Sequence, residues 1–578
     1  MASKDERVER MRHSASHIMA EAVLSLFPEA KLAIGPPIEN GFYYDFDLPR
    51  SLTPEDLTVI EERMRQSIAA DQPFIQEKLP KDEARQIFAG QPYKLELIDD
   101  IEGDEVSLYR HASFVDLCAG PHVAGTGEVK AFKLTSVAGA YWRGDERRQM
   151  LQRIYGALFE TQEELDDYLN RLEEAQQRDH RRLGRELELF MTNSLVGAGL
   201  PLWLPRGATV RRLLEEFITK EERDCGYLHV YSPDIAKRDL YVKSGHWDHY
   251  KDLMFPPMQL EHEEMVLRPM NCPHHILIYS SKLRSYRDLP VRIAELGTMY
   301  RYEKSGVMGG LTRVRAMTLN DAHIFCTPEQ IKDEFSNVMR LVEKAYAVLG
   351  ITEYSYRLSL RDPADKEKYV PNDKMWELGE AVLREAMESL KLPFTEAIGE
   401  AAFYGPKVDI EIRDVLGREE TLSTIQVDFH LPEQFELTYI GEDGREHRPV
   451  MIHRGVISTM ERIMAYLIEL YGGAFPLWLA PIQAVVIPIA DRHLQYAQDV
   501  ANQLKQKDLR VEVDDRNERM NAKIRDAQLQ KVPYMLVVGD KEIEAHTVNV
   551  RLRNGDNLGA LPIVDLLSRM EEEINSRS

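Results

Sequence analysis

Between Glu160 and Leu189 the chain reads ETQEELDDYLNRLEEAQQRDHRRLGRELEL, rich in charge, free of proline and spaced like a helix with little core to bury. A linker helix is expected here. A chain of 578 residues is also far too long for one core, at about 150 residues per domain. Before the linker, a helical start (HSASHIMAEAVLSLF), a Gly/Pro turn (AIGPPIENG), an extended FYYDFDL and a charged helix around EDLTVIEERMRQSIAA suggest one α+β domain. After it, a large block runs to about Gly473. There PVRIAELGTMYRYE and RVRAMTLNDAHIFC, joined by the Gly-rich SGVMGGL, predict an antiparallel hairpin. Beyond LWLAP, the short apolar runs QAVVIPIA, LRVEVDD and YMLVVGD alternate with helix-like stretches, as in a small α/β domain.

Composition excludes some classes. With 43% hydrophobic and 29% charged residues, no stretch approaches the roughly 20 apolar residues a membrane span needs. The start, MASKDERVERMRHSASH, fits neither a secretory nor a transit peptide, so a soluble, cytoplasmic protein is expected. Cys118, Cys225, Cys272 and Cys326 are too few and too scattered for a disulfide framework. A net charge of -23, from 73 Lys+Arg against 96 Asp+Glu, counts against nucleic-acid binding unless basic residues gather on one face.

The words PMNCPHH, NDAHIF and MIHRG hold Cys272, His323 and His453, each beside apolar, strand-like residues. One Cys and two His are the number of ligands that leaves catalytic zinc an open position. By spacing alone the ordinary reading, a core cysteine and satisfied core histidines, stands first. Arg301 in MYRYE, on the first strand of the hairpin, and Arg462 in STMERIMAYL, near the start of an apolar-faced helix, add planar, permanently charged forks suited to phosphate. Taken singly, each is an ordinary surface or salt-bridge arginine.

With these words in order, the sequence resembles the class II aminoacyl-tRNA synthetases, and among them the threonyl-tRNA synthetase family. LPLWLPRGA, a helix and YSPDI look like the dimer-forming first motif, ending at Pro233; RYE, a loop and RVRAMTLNDAHIF look like the second; HRGVISTMERI looks like the third. The resemblance implies an enzyme that activates L-threonine with ATP and Mg²⁺ and loads it onto threonine tRNA. It implies one zinc ion per subunit on Cys272, His323 and His453. It further implies that Arg301 and Glu303 meet the α-phosphate side and the adenine edge, Arg313 the γ-phosphate end, and that Arg462 stacks on adenine. By the same resemblance Lys407 is expected to join Arg301 and Arg462 as a catalytic residue, and Tyr404, Asp321, Gln426 and Thr459 to complete the substrate pocket.

Zinc makes sense of the selectivity this implies. An apolar pocket cannot strongly prefer threonine to isosteric valine, whereas a metal taking both the amino group and the hydroxyl excludes valine. The chain departs from the family's pattern at Met317, often an adenine-stacking Phe; at Leu319, often a Gln; at ETLSTIQ, where WQCGTIQ is common; and at Thr459, usually Ser. Polarizable Met can still cover a base.

His13 and His17 in HSASH are four residues apart on one helix face, and Cys118 and His122 in DLCAGPH repeat the spacing. Ser14 follows His13 and no glutamate separates the histidines, so this is not the HExxH protease pattern. From the residues alone, structural zinc, a hydrolytic pocket and a packed pair of histidines all remain open. These words resemble the editing domain of bacterial threonine enzymes, related to that of alanine enzymes. Serine keeps the hydroxyl and lacks one methyl, about 1–3 kcal/mol, so a second sieve that hydrolyses seryl-tRNA is implied. The family's site acts on a water without a required metal, and the matching residues are His13, His17, Cys118, His122, Asp116, Tyr44 and Lys94. Lys94 rests on PYKLELI alone, where a solvated strand end is the competing reading.

At the C-terminal end, VDDRNERMNAKIRDAQLQKVPYMLVVGDKE resembles the family's anticodon-reading domain, with Asn517, Glu542 and Arg551 at the contact positions. The implied fold is α+β multidomain: an N-terminal α+β editing domain (1–162), a linker helix (163–182), a class II antiparallel-sheet catalytic domain (183–476) and a C-terminal α/β anticodon-binding domain (477–578). The resemblance runs from about His13 to the end; many members carry a further small ubiquitin-like domain first, which this sequence starts without. A homodimer and no membrane association are expected. Two other readings are a tRNA deacylase or regulatory tRNA-binding paralogue without aminoacylation, and a zinc hydrolase of small substrates. The intact set of Cys272, His323, His453, Arg301 and Arg462 argues against the first. The lack of a general base beside the central ligands argues against the second.

Overall fold

The computed structural model describes residues 4–577, which divide into two compact units, Met1–Glu173 and Glu174–Ser578. Among the described residues no helix is long and apolar enough to cross a membrane.

In the first unit, helix Lys4–Leu26 lays Ile18, Met19 and Val23 against Phe42, Phe46, Ile154 and Leu158 of an antiparallel sheet. Its strands run in the order Lys31–Leu32, Gly41–Asp47, Met150–Phe159, Ala131–Tyr141, with Pro37–Ile38 paired to the second. Helix Pro54–Ala69 starts where Thr53 and Asp56 form a capping box and Pro54 supplies a preset φ. A second sheet, Ile75–Pro80, Glu105–His111 and Phe114–Leu117, ends beside Cys118. PYKLELI is helical, not a strand end: Pro92 opens helix Pro92–Asp100, and Lys94 is 2% exposed.

The charged stretch expected as one linker helix is two helices, Gln162–Arg178 and His180–Glu186. Asp179 breaks them apart because its side chain accepts the backbone N–H of Arg181 at 2.7 Å, capping the second helix instead of continuing the first.

The second unit is built on an eight-stranded sheet in the order Leu228–His229, Val291–Tyr300, Ala316–Cys326, Val450–Thr459, Glu419–Asp428, Lys407–Arg413, Tyr354–Leu360, Phe394–Ile398. The two edge strands pair in parallel and the six between them antiparallel, the hairpin of the second motif included. Register decides which face does what. His323 lies opposite His453, His453 opposite Gln426, and Gln426 opposite Lys407, so these four residues line one face across four strands. The alternate residues Ile324, Ile452, Val427, Ile425 and Val408 point the other way, into a core with Phe335, Met339, Leu383, Ile463 and Met464 of helices Ile331–Val348, Asp373–Ser389 and Met460–Tyr471. One face is thus packed by helices, and its polar opposite carries the site. The C-terminal part is a five-stranded sheet, Val511–Val513, Ala484–Pro488, Tyr534–Val538, Thr547–Leu552, Asn557–Pro562, whose first three strands are parallel.

Candidate active sites

Cys272, His323 and His453 come together with their ligand atoms all within 4.8 Å of one another. Cys272 does not sit on a strand, as its neighbours suggest; it opens helix Cys272–Ser280, where Pro273 favours a helix start. All three are buried, and burial pushes the Cys272 thiol well up and the His323 imidazolium well down. His453 Nε2 bonds Asp428 Oδ2 at 2.9 Å, and His323 Nδ1 bonds His275 Nδ1 at 2.7 Å. Each ring therefore has one nitrogen held by a hydrogen bond, which leaves the other to serve as a ligand. One Cys and two His, buried and with both imidazoles hydrogen-bonded, fit zinc.

A cavity of about 400 Å³ opens over this cluster, lined among others by Arg301, Leu319, Asp321, Tyr404, Lys407 and Gln426. Burial raises the Asp321 carboxyl. Lys407 Nζ bonds Asp409 Oδ2 at 2.6 Å, Tyr404 donates to Gln426, and the Tyr404 ring stacks on His453. A second cavity of about 450 Å³ is lined by Glu303, Arg313, Met317 and Thr459, and shares Arg301, Thr421 and Arg462 with the first. Arg301 directly follows its strand; its guanidinium bonds only the Met270 thioether, at 3.5 Å, among the described residues. Among the described residues the Arg462 guanidinium donates only to the backbone carbonyls of Thr312 and Thr421. Among the described residues neither arginine is in an ion pair, whereas Arg313 pairs with Glu303 at 3.1 Å. Thr459 caps helix Met460–Tyr471 by accepting the Arg462 N–H.

In the first unit His13, His17, Cys118 and His122 also gather, ligand atoms within 4.8 Å. Cys118 Sγ lies 3.3 Å from both His13 Nε2 and His122 Nε2. Asp116 accepts from Tyr44 at 2.6 Å and pairs with Lys94 at 2.5 Å, with His17 Nε2 at 3.7 Å. Lys94 and Asp116 are both buried, so Lys94 is no solvated strand end. Burial lowers the pKa values of His13, His17 and His122 and pushes the Cys118 thiol up to about 11, so at neutral pH the group is uncharged imidazoles and a thiol.

Asn517, Glu542 and Arg551 occupy an exposed loop, helix Asp540–Ala545 and strand Thr547–Leu552; no bond among the described residues links them. Glu542 accepts the Gly539 N–H at 3.0 Å, and Arg551 Nε is buried without a partner.

Residues 256–471 match the tRNA synthetase class II core domain (G, H, P, S and T), residues 483–573 the anticodon binding domain, and residues 106–155 the threonyl and alanyl tRNA synthetase second additional domain. The chain is 56% identical to the threonine–tRNA ligase of Geobacillus sp. (strain WCH70), over 98% of this chain and 89% of the relative. It belongs to the threonyl-tRNA synthetases. Threonine–tRNA ligase 1 of Bacillus subtilis (strain 168) is 53% identical over the same shares. A solved RNA binding domain of threonyl-tRNA synthetase from Cryptosporidium parvum Iowa II matches at TM-score 0.65 and 37% identity, over 68% of this chain and 98% of that one.

As a threonyl-tRNA synthetase the chain is a class II threonine–tRNA ligase that uses ATP, threonine and tRNA, and its second additional domain is consistent with editing. A paralogue that only deacylates or binds tRNA is not favoured. Several residues around these sites escape sequence reasoning. Asp428 bonds His453, His275 bonds His323, and His246 Nε2 lies 3.6 Å from Cys272 Sγ. Ser14 Oγ donates to Arg10 O at 2.8 Å and faces His122 Nδ1 at 3.0 Å. Of these, only His275, two residues from the PHH proline, carries a hint in the sequence.

Proposed function

We propose that Cys272, His323 and His453 hold one zinc ion per subunit, which when bound supplies a Lewis acid for the amino group and hydroxyl of threonine. Asp428 and His275 keep the two imidazoles oriented. Asp321, Tyr404 and Gln426 line the threonine side of the cavity, and Lys407, steadied by Asp409, stands at its edge. ATP takes the second cavity: Glu303 at the adenine edge, Arg313 at the γ-phosphate end, Arg462 and Met317 against the base, Thr459 beneath. Mg²⁺ shares the phosphate charge with the arginines. Arg301 and Arg462, where the two cavities meet, are placed to hold the α-phosphate side and the base while the threonine carboxylate attacks the phosphorus and pyrophosphate leaves. A ribose hydroxyl of tRNA then displaces AMP, and no protein nucleophile is required.

The observation that carries this reading is the pair of cavities meeting at Arg301 and Arg462, two guanidiniums without carboxylate hydrogen-bond partners among the described residues. Arg301→Ala should lower threonine-dependent ATP–pyrophosphate exchange at least 100-fold, a loss on the scale of one oxyanion donor. Exchange within threefold of the parent would overturn it.

In the first unit, His13, His17, Cys118, His122, Asp116, Tyr44 and Lys94 form the pocket that hydrolyses seryl-tRNA. Three neutral imidazoles beside a buried Lys–Asp pair support water activation without a protein nucleophile. Asn517, Glu542 and Arg551 read anticodon bases; the unpartnered Arg551 Nε supports this. Domains divide near 1–162, 163–182, 183–476 and 477–578, the first motif joins two subunits, and the enzyme works in the cytoplasm.

A further inference from the structure

The segment that opens the second unit reaches the nucleotide cavity through one imidazole. Helix Gln162–Arg178 ends with Arg178 Nη1 donating to Leu470 O at 3.1 Å, on the last turn of helix Met460–Tyr471. Asp179 then breaks the helix, and the next residue, His180, is 5% exposed. Its Nε2 accepts the backbone N–H of Leu311 at 3.1 Å. A ring nitrogen that accepts carries no proton, so the neutral imidazole bears its proton on Nδ1 and donates it to Glu469 Oε1 at 2.6 Å. The same oxygen accepts the His180 backbone N–H at 3.2 Å.

Leu311 is fully buried and lies on the return arm of the loop between strands Val291–Tyr300 and Ala316–Cys326. The approach to His180 is tight. A Cβ on Gly310 would stand 2.2 Å from His180 Nε2, and the backbone there has φ +59°, so a glycine meets both demands. The next residues are those that furnish the cavity: Thr312 O receives Arg462 Nε at 3.4 Å, and Arg313 Nε pairs with Glu303 Oε2 at 3.1 Å. A neighbouring cavity of about 350 Å³, lined by His180 and Glu469, shares Thr312, Glu420, Thr421 and Arg462 with the nucleotide cavity.

We infer that His180, held by Glu469, is a positioning residue for ATP: its bond to Leu311 sets the loop so that Thr312 and Arg313 present Arg462 and Glu303 to the nucleotide. It touches no substrate. It acts through the loop, and it lies outside all three class II motifs. The inference rests on the reading of Arg313 and Arg462 as ATP-binding groups.

The test is steady-state ATP–pyrophosphate exchange by the full chain, varying ATP and threonine separately, for His180→Ala, His180→Gln and Arg313→Ala. His180→Ala should raise the KM for ATP about tenfold, the scale of one buried hydrogen bond, and leave the KM for threonine within twofold. His180→Gln, whose Oε1 can accept from Leu311, should recover most of the loss. An unchanged KM for ATP in His180→Ala, or an equal rise in both KM values that glutamine does not repair, would overturn the inference. Arg313→Ala separates the two levels. If it raises the KM for ATP while His180→Ala does not, only the latch falls; if it leaves the KM unchanged, the reading of the cavity falls and the latch with it.

Discussion

His323 and His453 stand opposite each other on neighbouring antiparallel strands, ring centroids 4.7 Å apart and planes at 84°. One nitrogen of each ring is engaged, by Asp428 on His453 and by His275 on His323, and both rings gather with Cys272. Asp428→Asn keeps an acceptor for the backbone N–H groups of His430 and Leu431 but can set an amide against His453. Zinc affinity should fall about 10–100-fold with the fold intact. Metal titration against a competing chelator measures this, and an unchanged affinity would remove Asp428 from the site.

The ligands themselves allow a harsher test. Cys272→Ser and His323→Ala should each lose bound zinc and threonine-dependent exchange together, since three soft ligands become two. Exchange retained in either variant would sink the zinc assignment.

Much of this centre is legible in the sequence, for a physical reason. Strand alternation places Asp321 with His323, and apolar neighbours mark the buried side, so the words NDAHIF and MIHRG carry both chemistry and facing. What is not legible depends on chain segments meeting across the fold. Asp428 is an ordinary strand-end carboxylate until the register brings it to His453. Lys94 reads as an exposed lysine until helix Pro92–Asp100 turns it toward Asp116. The linker misleads differently: its periodicity is helical throughout, and only the capping bond of Asp179 interrupts it. The partners of His180 lie more than a hundred residues away along the chain, beyond any local pattern.

The editing pocket should be separable from charging. His13→Ala combined with His17→Ala should leave threonylation of tRNA within twofold of the parent while seryl-tRNA accumulates in a serine-charging assay. Clearance of seryl-tRNA at the parent rate would show that hydrolysis occurs elsewhere.

The same histidines should make the first unit acid-sensitive. Burial holds His13, His17 and His122 below the ordinary histidine value of 6.5, so the folded unit resists protons that the unfolded chain accepts. Their contribution is complete above pH 6.5 and is lost as pH falls below it, by up to about 1.4 kcal/mol per histidine per pH unit. Amide hydrogen exchange in helix Lys4–Leu26, corrected for intrinsic rates, should show protection falling between pH 7 and about 5. Protection that is flat across that range would contradict the buried neutral state.

The most direct measurement is ATP–pyrophosphate exchange by the purified protein with threonine, serine and valine in parallel, with metal content determined on the same sample. Robust exchange with threonine, less with serine and almost none with valine, at about one zinc per chain, is the expected result. Equal exchange with threonine and valine, or full threonine exchange by protein free of zinc, would contradict a zinc-gated threonine pocket at Cys272, His323 and His453.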